Sequence, residues 1–154
     1  MNRYHVEASA VIDAPAALVY AIVADYKDGH QAILPRPYFV SVDVLEGGTG
    51  AGTKLKVTMK VMGQDFVFNE EVTEPEPGRV LVEADNEAGL STTFTFEPLS
   101  DTQTRVTIST VGKASPGIKG WLEKMMNPMI MGKIYRQELE NLAQVAQQRV
   151  VSPV

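Results

Sequence analysis

The sequence predicts an α+β domain, with a seven-stranded curved antiparallel sheet around a long C-terminal helix in the order β-αα-β6-α. Seven segments alternate apolar and polar residues with the period of two that half-buried strands show. Six of these segments follow one another and are joined by short turns, which favour antiparallel pairing of neighbours. Over about the last 30 residues the apolar period changes to 3.6, which predicts one long helix.

The first strand and two short helices are predicted from the N-terminal residues. Alternation over residues 3–12 places Tyr4, Val6, Ala8, Ala10 and Ile12 on one face. Asp13 is the predicted N-cap of a helix over residues 16–25, and Pro15 suits its first turn. Residues 26–34 predict a short, broken second helix before two prolines.

The six consecutive strands are expected at 38–46, 53–62, 65–74, 79–85, 89–98 and 103–112. In the first of these, Val40, Val42 and Val44 are predicted to share the inward face. The glycine run at 47–52 is interpreted as a hairpin loop, because a phosphate-binding loop needs a helix directly after it and here a strand follows. Gly63-Gln64 is the predicted turn of the next hairpin.

The long helix is predicted over about residues 116–148, with Ser115 as its cap. Pro128 falls inside this range and predicts a kink. Met126 and Met131 fall off the apolar face, whose predicted members are Trp121, Met125, Met129, Gly132, Tyr135, Leu139, Leu142 and Ala146.

Length and charge limit the classes of function. The 154 residues predict a single domain over residues 1–150, followed by a frayed tail at 151–154. A net charge of −5 argues against nucleic acid as a partner. No apolar stretch is long enough to span a membrane and no signal peptide is recognised, so no membrane insertion and a cytoplasmic location are expected. With no cysteine and two histidines, neither a metal site nor a cofactor is expected.

One helix cannot fill the space over a seven-stranded curved sheet, so the architecture predicts an internal cavity. In the predicted core, Leu139 and Leu142 pack with Met125 and Met129 against Val57, Phe94, Phe96 and Ile108. The predicted ligand-binding walls are Leu55, Val57, Met59, Phe66, Phe68, Glu70, Val82, Phe94, Trp121, Met125 and Met129.

Polar candidates for chemistry are few, and catalytic residues stay unassigned. Glu70 shares its strand face with two phenylalanines, so it is expected in the cavity with Arg136 as a possible partner; a bulge that turns it outward is the alternative. Glu70 and Tyr38 are the weak candidates for an acid or base. His5 is interpreted as a solvated surface residue, and so is His30, for which a place at the cavity mouth is the alternative.

Several segments resemble the START-like (SRPBCC) superfamily, and its polyketide cyclase/dehydrase and lipid-transport group in particular. They are VIDAPAALVYAIVADY at 11–26, GGTGAGT at 47–53, EPEPGRVL at 74–81 and the terminal long helix. The resemblance covers nearly the whole chain and implies a helix-grip fold. It also implies a cavity for lipids, sterols, polyketides or other apolar molecules, and in a minority of members a cyclase activity.

Three functions are therefore carried forward. The first is binding of a small hydrophobic ligand in the cavity, because no nucleophile, metal set or phosphate loop competes with it. The second is a polyketide cyclase or dehydratase that uses a cavity acid or base. The third is a co-chaperone-like interaction module. We expect a monomer or weak dimer whose partner is a small hydrophobic molecule.

Overall fold

Seven strands and three helices are present in the computed structural model, which describes residues 3–113 and 127–151. The elements, in chain order, are β1 (Arg3–Ile12), α1 (Ala16–Ala24), α2 (Gly29–Ile33), β2 (Phe39–Glu46), β3 (Lys54–Val61), β4 (Gln64–Glu76), β5 (Val80–Asp85), β6 (Leu90–Ser100), β7 (Gln103–Lys113) and α3 (Pro128–Val151). The predicted order β-αα-β6-α is confirmed.

The strands form one sheet in the order β1-β7-β6-β5-β4-β3-β2, and every neighbouring pair is antiparallel. Strands β2 to β7 form a meander, whereas β1 pairs with β7 at the far edge. Helix α3 packs against β1, α1 and α2, so the sheet and the helices enclose the core in a helix-grip arrangement. No helix of the described residues is long and apolar enough to cross a membrane.

Strand β2 does not keep the predicted face. Its pairing with β3 shifts register between Phe39 and Ser41, and again between Val44 and Glu46. A bulge adds one residue and reverses the alternation beyond it. Val40 is therefore 52% exposed, while Phe39 is buried and Val42 packs against the core. The prediction that Val40 shares the inward face with Val42 is wrong for this reason.

Strand β5 has the opposite parity from the one predicted. Leu81, Glu83 and Asp85 are buried, whereas Val82 is only half-buried on the other side of the sheet. The apolar alternation Val80, Val82, Ala84 is the stronger one in the sequence, and it points away from the centre of the core. The strand thus delivers two carboxyl groups to the interior.

Helix α1 begins without the predicted cap. Pro15 occupies the N-cap position, and no side chain caps the helix. The carboxylate of Asp13 instead accepts a hydrogen bond from Gln103 Nε2 at 2.8 Å, which ties the loop before α1 to the start of β7. Asp13 lies two residues before the helix cap, too early to reach the first helical N–H groups.

Helix α3 begins at Pro128, and the earlier part of the predicted helix, with the kink expected at this proline, lies outside the described residues. Asn127 Oδ1 accepts the Met129 N–H at 2.8 Å, and the proline takes the first helical position, where its missing N–H costs nothing. Met129 is consequently 82% exposed, while Met131 is buried. Ser115, Trp121, Met125, Met126 and the tail beyond Val151 lie outside the described residues.

The glycine run forms the predicted hairpin loop between β2 and β3, and it is tied to α1. The Tyr26 N–H donates to the Gly48 carbonyl at 2.9 Å, and the Gly50 N–H donates to the Ala24 carbonyl at 3.0 Å. Glu74 accepts the Ala51 N–H at 2.7 Å and the Tyr20 hydroxyl at 2.5 Å. Four backbone and side-chain hydrogen bonds therefore hold the loop against the end of the helix.

Candidate functional site

A cavity of about 50 Å³ lies between the sheet and α3. That volume has room for a few water molecules, at roughly 10–15 Å³ each. Its described lining residues are His30, Leu34, Phe39, Val42, Leu55, Val57, Met59, Phe68, Glu70, Glu83, Leu90, Thr92, Phe94, Ile108, Met131, Tyr135 and Glu138.

Six of the predicted wall residues do line the cavity: Leu55, Val57, Met59, Phe68, Glu70 and Phe94. The alternation of β3 and β4 places the first five there, because both strands turn their apolar face to the core, and Phe94 lies on the buried face of β6. The register Val57↔Phe68 sets residues of the two strands side by side on the wall. Their role in ligand binding stays a prediction.

The other predicted wall residues lie elsewhere or outside the described residues. Phe66 is half-buried and stacks on Phe68 with ring centroids 6.5 Å apart, one position beyond the cavity. Val82 points away from the cavity because it lies on the other face of β5 from Leu81 and Glu83. Met129 is exposed because it lies in the first turn of α3. Trp121 and Met125 fall in the part that is not described. Tyr38 is half-buried in the turn before β2 and does not line the cavity.

Three carboxyl groups border the cavity from three elements: Glu70 on β4, Glu83 on β5 and Glu138 on α3. Burial raises the pKa of Glu70 well above its usual range, and the nearby charges of Glu83, Asp85 and Glu138 raise it further. Burial, followed by the charge of Glu83, likewise raises the pKa of Glu138. Both groups therefore hold a proton to higher pH than an exposed glutamate.

Glu83 is held by an aromatic pair. The Tyr26 hydroxyl donates to Glu83 Oε2 at 2.6 Å, and His30 Nε2 lies 3.6 Å from the same oxygen. His30 Nδ1 donates to the Val23 carbonyl at 2.7 Å, and its ring stacks on Tyr26 with centroids 4.5 Å apart. His30 is 4% exposed, so its interpretation as a solvated surface residue is wrong: α2 turns it into the core. His5 is exposed as predicted.

A chain of hydroxyl groups also reaches the cavity. Tyr135 on α3 is hydrogen-bonded to Thr110 at 2.5 Å, and Thr110 to Thr92 at 2.7 Å. Burial raises the pKa of the Tyr135 phenol well above its usual range. Tyr135 and Thr92 line the cavity, but their hydroxyls are already paired with Thr110.

Glu70 and Glu138 differ from the other polar groups of the cavity. Within residues 3–113 and 127–151, no hydrogen bond or ion pair reaches either carboxyl group. The predicted partner Arg136 is exposed on the outer side of α3, two residues from Glu138, so that prediction is wrong. The predicted inward parity of Glu70 is confirmed, because Phe68 and Val72 on the same side are buried.

The cavity combines apolar walls with three carboxyl groups. Such a site can enclose a small molecule and direct a hydrogen bond or a proton at one of its atoms. No group of three or more His, Cys, Asp or Glu residues in the described ranges is placed to hold a metal ion.

The predicted wall gave His30 only as an alternative at the cavity mouth. It omitted ten other lining residues: Leu34, Phe39, Val42, Glu83, Leu90, Thr92, Ile108, Met131, Tyr135 and Glu138. One signal was present for the helix: Met131, Ile134, Glu138 and Leu142 recur at steps of three and four, so Glu138 falls on the buried stripe. Glu138 was not predicted there because the face of the helix was identified by its apolar residues alone. For Glu83, the sequence contained one indication: it follows Leu81 by two residues, so both side chains lie on the same face of β5.

Solved structures with the same fold are numerous. The KanY protein, solved by NMR, is 26% identical with a TM-score of 0.81, covering 96% of this chain and 99% of its own. The Zhui aromatase/cyclase from a Streptomyces species is 19% identical with a TM-score of 0.74, covering 97% and 96%. A START superfamily protein from Mycobacterium smegmatis is 16% identical with a TM-score of 0.67, covering 94% and 98%.

The sequence itself gives the narrower assignment. No curated protein matches it significantly. The family model described as polyketide cyclase / dehydrase and lipid transport matches residues 3–147, which is nearly the whole chain. With the seven-stranded sheet, the C-terminal helix and the cavity between them, this match shows that the chain belongs to the polyketide cyclase/dehydrase and lipid-transport family.

Proposed function

We propose that this protein binds a small, largely apolar molecule with one polar group in the cavity between the sheet and α3. The observation that carries the proposal is the cavity itself, with apolar walls and two unpartnered carboxyl groups, Glu70 and Glu138, among its lining residues. Apolar walls supply affinity, and a few placed polar groups fix the orientation of a ligand.

The volume of about 50 Å³ sets the size of what enters without rearrangement. A larger ligand has to displace wall side chains, and Met131 is the one suited to move, because methionine is unbranched and repacks around different shapes. The family description, which includes lipid transport, supports a binding role of this kind.

The first test is a titration of the folded protein with butan-1-ol, followed by two-dimensional NMR of the backbone amides. We expect saturable shifts confined to cavity-lining residues. Val57→Phe, which fills the cavity from β3, should abolish them. Val67→Phe, at an exposed position of β4, is the matched control and should keep them. The proposal would be overturned if the wild type shows no saturable shifts, or if its shifts are spread over the surface.

Native mass spectrometry of the protein purified from its own cells complements the titration, because a bound molecule survives gentle ionisation. A discrete mass increase that is present in the wild type and lost in Val57→Phe gives the mass of the natural ligand.

A second function, acid–base catalysis of cyclisation and dehydration, is favoured by a separate observation: Glu70, Glu83, Glu138 and His30 converge on one cavity. In an aldol cyclisation, a base removes a proton beside one carbonyl, the carbanion bonds to a second carbonyl carbon, and an acid protonates the alkoxide formed. Loss of that hydroxyl with a neighbouring proton, as water, completes dehydration. Among the solved relatives, the Zhui protein is described as an aromatase/cyclase.

The structure suggests a division of these roles. Glu70 keeps its proton to higher pH and suits the acid. His30 donates through Nδ1 to Val23, which leaves Nε2, beside Glu83, as the nitrogen that accepts a proton.

The catalytic alternative is tested by the exchange of the α-protons of butanone for deuterium, followed by NMR. An enzyme of this type accelerates exchange above the buffer rate, and Glu70→Gln should remove the acceleration. Glu71→Gln, the exposed neighbour on β4, is the control and should retain it. Exchange at the buffer rate with the wild type would count against catalysis and leave ligand binding standing. The co-chaperone-like alternative stays a prediction.

A further inference from the structure

The cavity is more acidic than an apolar ligand requires. Glu70, Glu83 and Glu138 line it from three elements, and Asp85 is buried two residues beyond Glu83. Among the described lining residues, His30 alone can carry a positive charge. The lysines of β3 and the basic residues in the first half of α3 have exposed side chains: Lys54, Lys56, Lys60, Lys133 and Arg136. Arg149, near the end of α3, lies 3.9 Å from Asp28.

Two of the four acids are already satisfied. Glu83 accepts the Tyr26 hydroxyl at 2.6 Å and faces His30 at 3.6 Å. Asp85 accepts the backbone N–H groups of Asn69 at 2.9 Å and Ala88 at 3.0 Å. These contacts explain both residues as parts of the fold, so neither needs a ligand.

Glu70 and Glu138 are not satisfied in this way. Glu138 is 3% exposed and borders the cavity, yet it has no hydrogen-bond or ion-pair partner in the described part of the chain. Glu70 borders the same cavity and is also unpaired there. The hydrogen bonds of the cavity hydroxyls run elsewhere, because Tyr135 and Thr92 both bond to Thr110.

A buried carboxyl group without a partner is costly, and a second one nearby adds repulsion as soon as both ionise. A ligand that carries both a positive charge and N–H donors removes both costs. We propose that the molecule held in this cavity carries a protonated amine, whose N–H groups are donated to the carboxylates of Glu70 and Glu138. This inference rests on the proposed binding function and specifies the chemical class of its ligand.

Ligands of other charge are disfavoured by the same groups. An alcohol of equal length offers one O–H donor and no charge, so it satisfies one carboxyl group and leaves the repulsion in place. A carboxylate adds a further negative charge where no described basic side chain is free to meet it. The order of affinity expected for one carbon skeleton is therefore amine, then alcohol, then acid.

The experiment compares butylamine, butan-1-ol and butyrate at neutral pH, each titrated into the full chain and followed through the amide resonances of cavity residues. We expect butylamine to bind at least about ten-fold more tightly than butan-1-ol, and butyrate to cause no saturable shift. Equal affinity for amine and alcohol would overturn the amine assignment while the binding function stands. If none of the three compounds causes a saturable shift, both the amine assignment and the proposed binding function are overturned.

Variants test whether the two carboxyl groups are responsible. Glu138→Gln and Glu70→Gln should each reduce the preference for butylamine over butan-1-ol at least about five-fold, because an amide carries no charge to meet the ammonium group. Glu140→Gln, at an exposed position of the same helix, should keep the wild-type preference. If either cavity variant is poorly folded, the other still decides, because the two residues lie on different elements. A preference that survives in both variants overturns the proposal.

Discussion

Gly50 is the residue at which the glycine loop, β4 and α1 meet. Its φ of 60° lies in the left-handed region, and a Cβ built on it would overlap Glu74 Oε1. That carboxylate is fixed between the Ala51 N–H and the Tyr20 hydroxyl. Burial, together with the hydrogen bond to Glu74, raises the pKa of Tyr20 to about 12, so its phenol remains a donor across the working range of pH. Glu74 therefore cannot move without losing two hydrogen bonds.

Gly50→Ala should lower the free energy of unfolding by about 2–4 kcal/mol, as the sum of backbone strain and lost Glu74 contacts. Gly52→Ala is the matched control, because its φ of 89° is also positive but nothing lies within 4 Å of its built Cβ. We expect it to cost about 1–2 kcal/mol from strain alone. Urea unfolding of both variants measures the difference, and equal losses would contradict the role given to Glu74.

Single residues also show what the sequence could not reveal about the site. The sequence favoured a place for Glu70 in the cavity, because two phenylalanines share its strand face, and left an outward bulge as the alternative. Glu83 could not be placed there, since Val80, Val82 and Ala84 make the opposite face of β5 look like the buried one. A site that buries carboxyl groups violates the apolar pattern on which such reasoning depends.

At the scale of elements, the β3–β4 hairpin has an avoidable strain. Its loop is Met62–Gly63, one residue earlier than the predicted turn, and both residues have positive φ, 52° and 77°. A two-residue loop of this kind is typical of a type I′ turn, which favours asparagine at the first position.

Met62→Asn should therefore raise the free energy of unfolding by about 0.5–1 kcal/mol, because asparagine tolerates the left-handed region better than methionine. The Met62 side chain is exposed, so no packing is lost. Met62→Ala is the control and should remain within about 0.5 kcal/mol of the wild type, since alanine keeps the backbone strain. An equal gain from both substitutions would show that the turn conformation is not the cause.

The start of α3 at Pro128 determines which of its side chains are buried. Leu139 and Leu142 are buried in the same core as Val57, Phe94 and Ile108, as predicted, but Met129 is exposed in the first turn. Leu139→Ala should cost about 2–5 kcal/mol by leaving a void in this core. Met129→Ala should change stability by less than about 0.5 kcal/mol. Thermal and urea unfolding of both variants check this contrast, and a large cost at Met129 would contradict the described helix start.

The elements themselves could be predicted from the sequence, because strand and helix periods are local properties. All seven strands and both short helices are found within a few residues of their expected bounds. The orientation of β2 was wrong for a physical reason: its bulge arises from pairing with β3, and a strand's own alternation contains no record of its partner's register. The position of Met129 depended likewise on the cap at Asn127.

At the scale of the whole molecule, the buried acids predict how stability depends on pH. The pKa of Glu138 is raised in the folded protein above the value of 4.5 for an unperturbed glutamate. Between pH 4.5 and the raised pKa of the folded protein, the unfolded chain loses this proton while the folded chain keeps it. The free energy of unfolding therefore falls as pH rises through this interval, and it levels off above the folded pKa. Glu70 contributes with the same sign.

Glu138→Gln should flatten this decline and be more stable than the wild type by about 1–3 kcal/mol at about pH 8, because the amide has no charge to bury. Glu140→Gln should keep the wild-type profile, since its side chain is exposed. Urea unfolding between about pH 5 and pH 8 measures both. A wild-type stability that rises over this range would contradict the assignment.

The existence of a cavity could be inferred from architecture alone, whereas its volume could not. The volume depends on how closely α3 approaches the sheet and on side chains such as Met131, and these follow from packing over the entire domain. The volume of about 50 Å³ accordingly limits the ligands that fit without a rearrangement of the wall side chains.

The two register shifts in β2 have a consequence for encounters with other chains. β2 forms one edge of the sheet, and an open edge offers unpaired backbone groups to which a foreign strand can add. Here the regular spacing is broken at both ends, and side chains of Arg36 and Gln31 already occupy the carbonyl groups of Phe39, Val40 and Val42. An approaching strand would find no continuous register and three carbonyl groups already bonded, so this edge is poorly suited to the addition of a foreign strand.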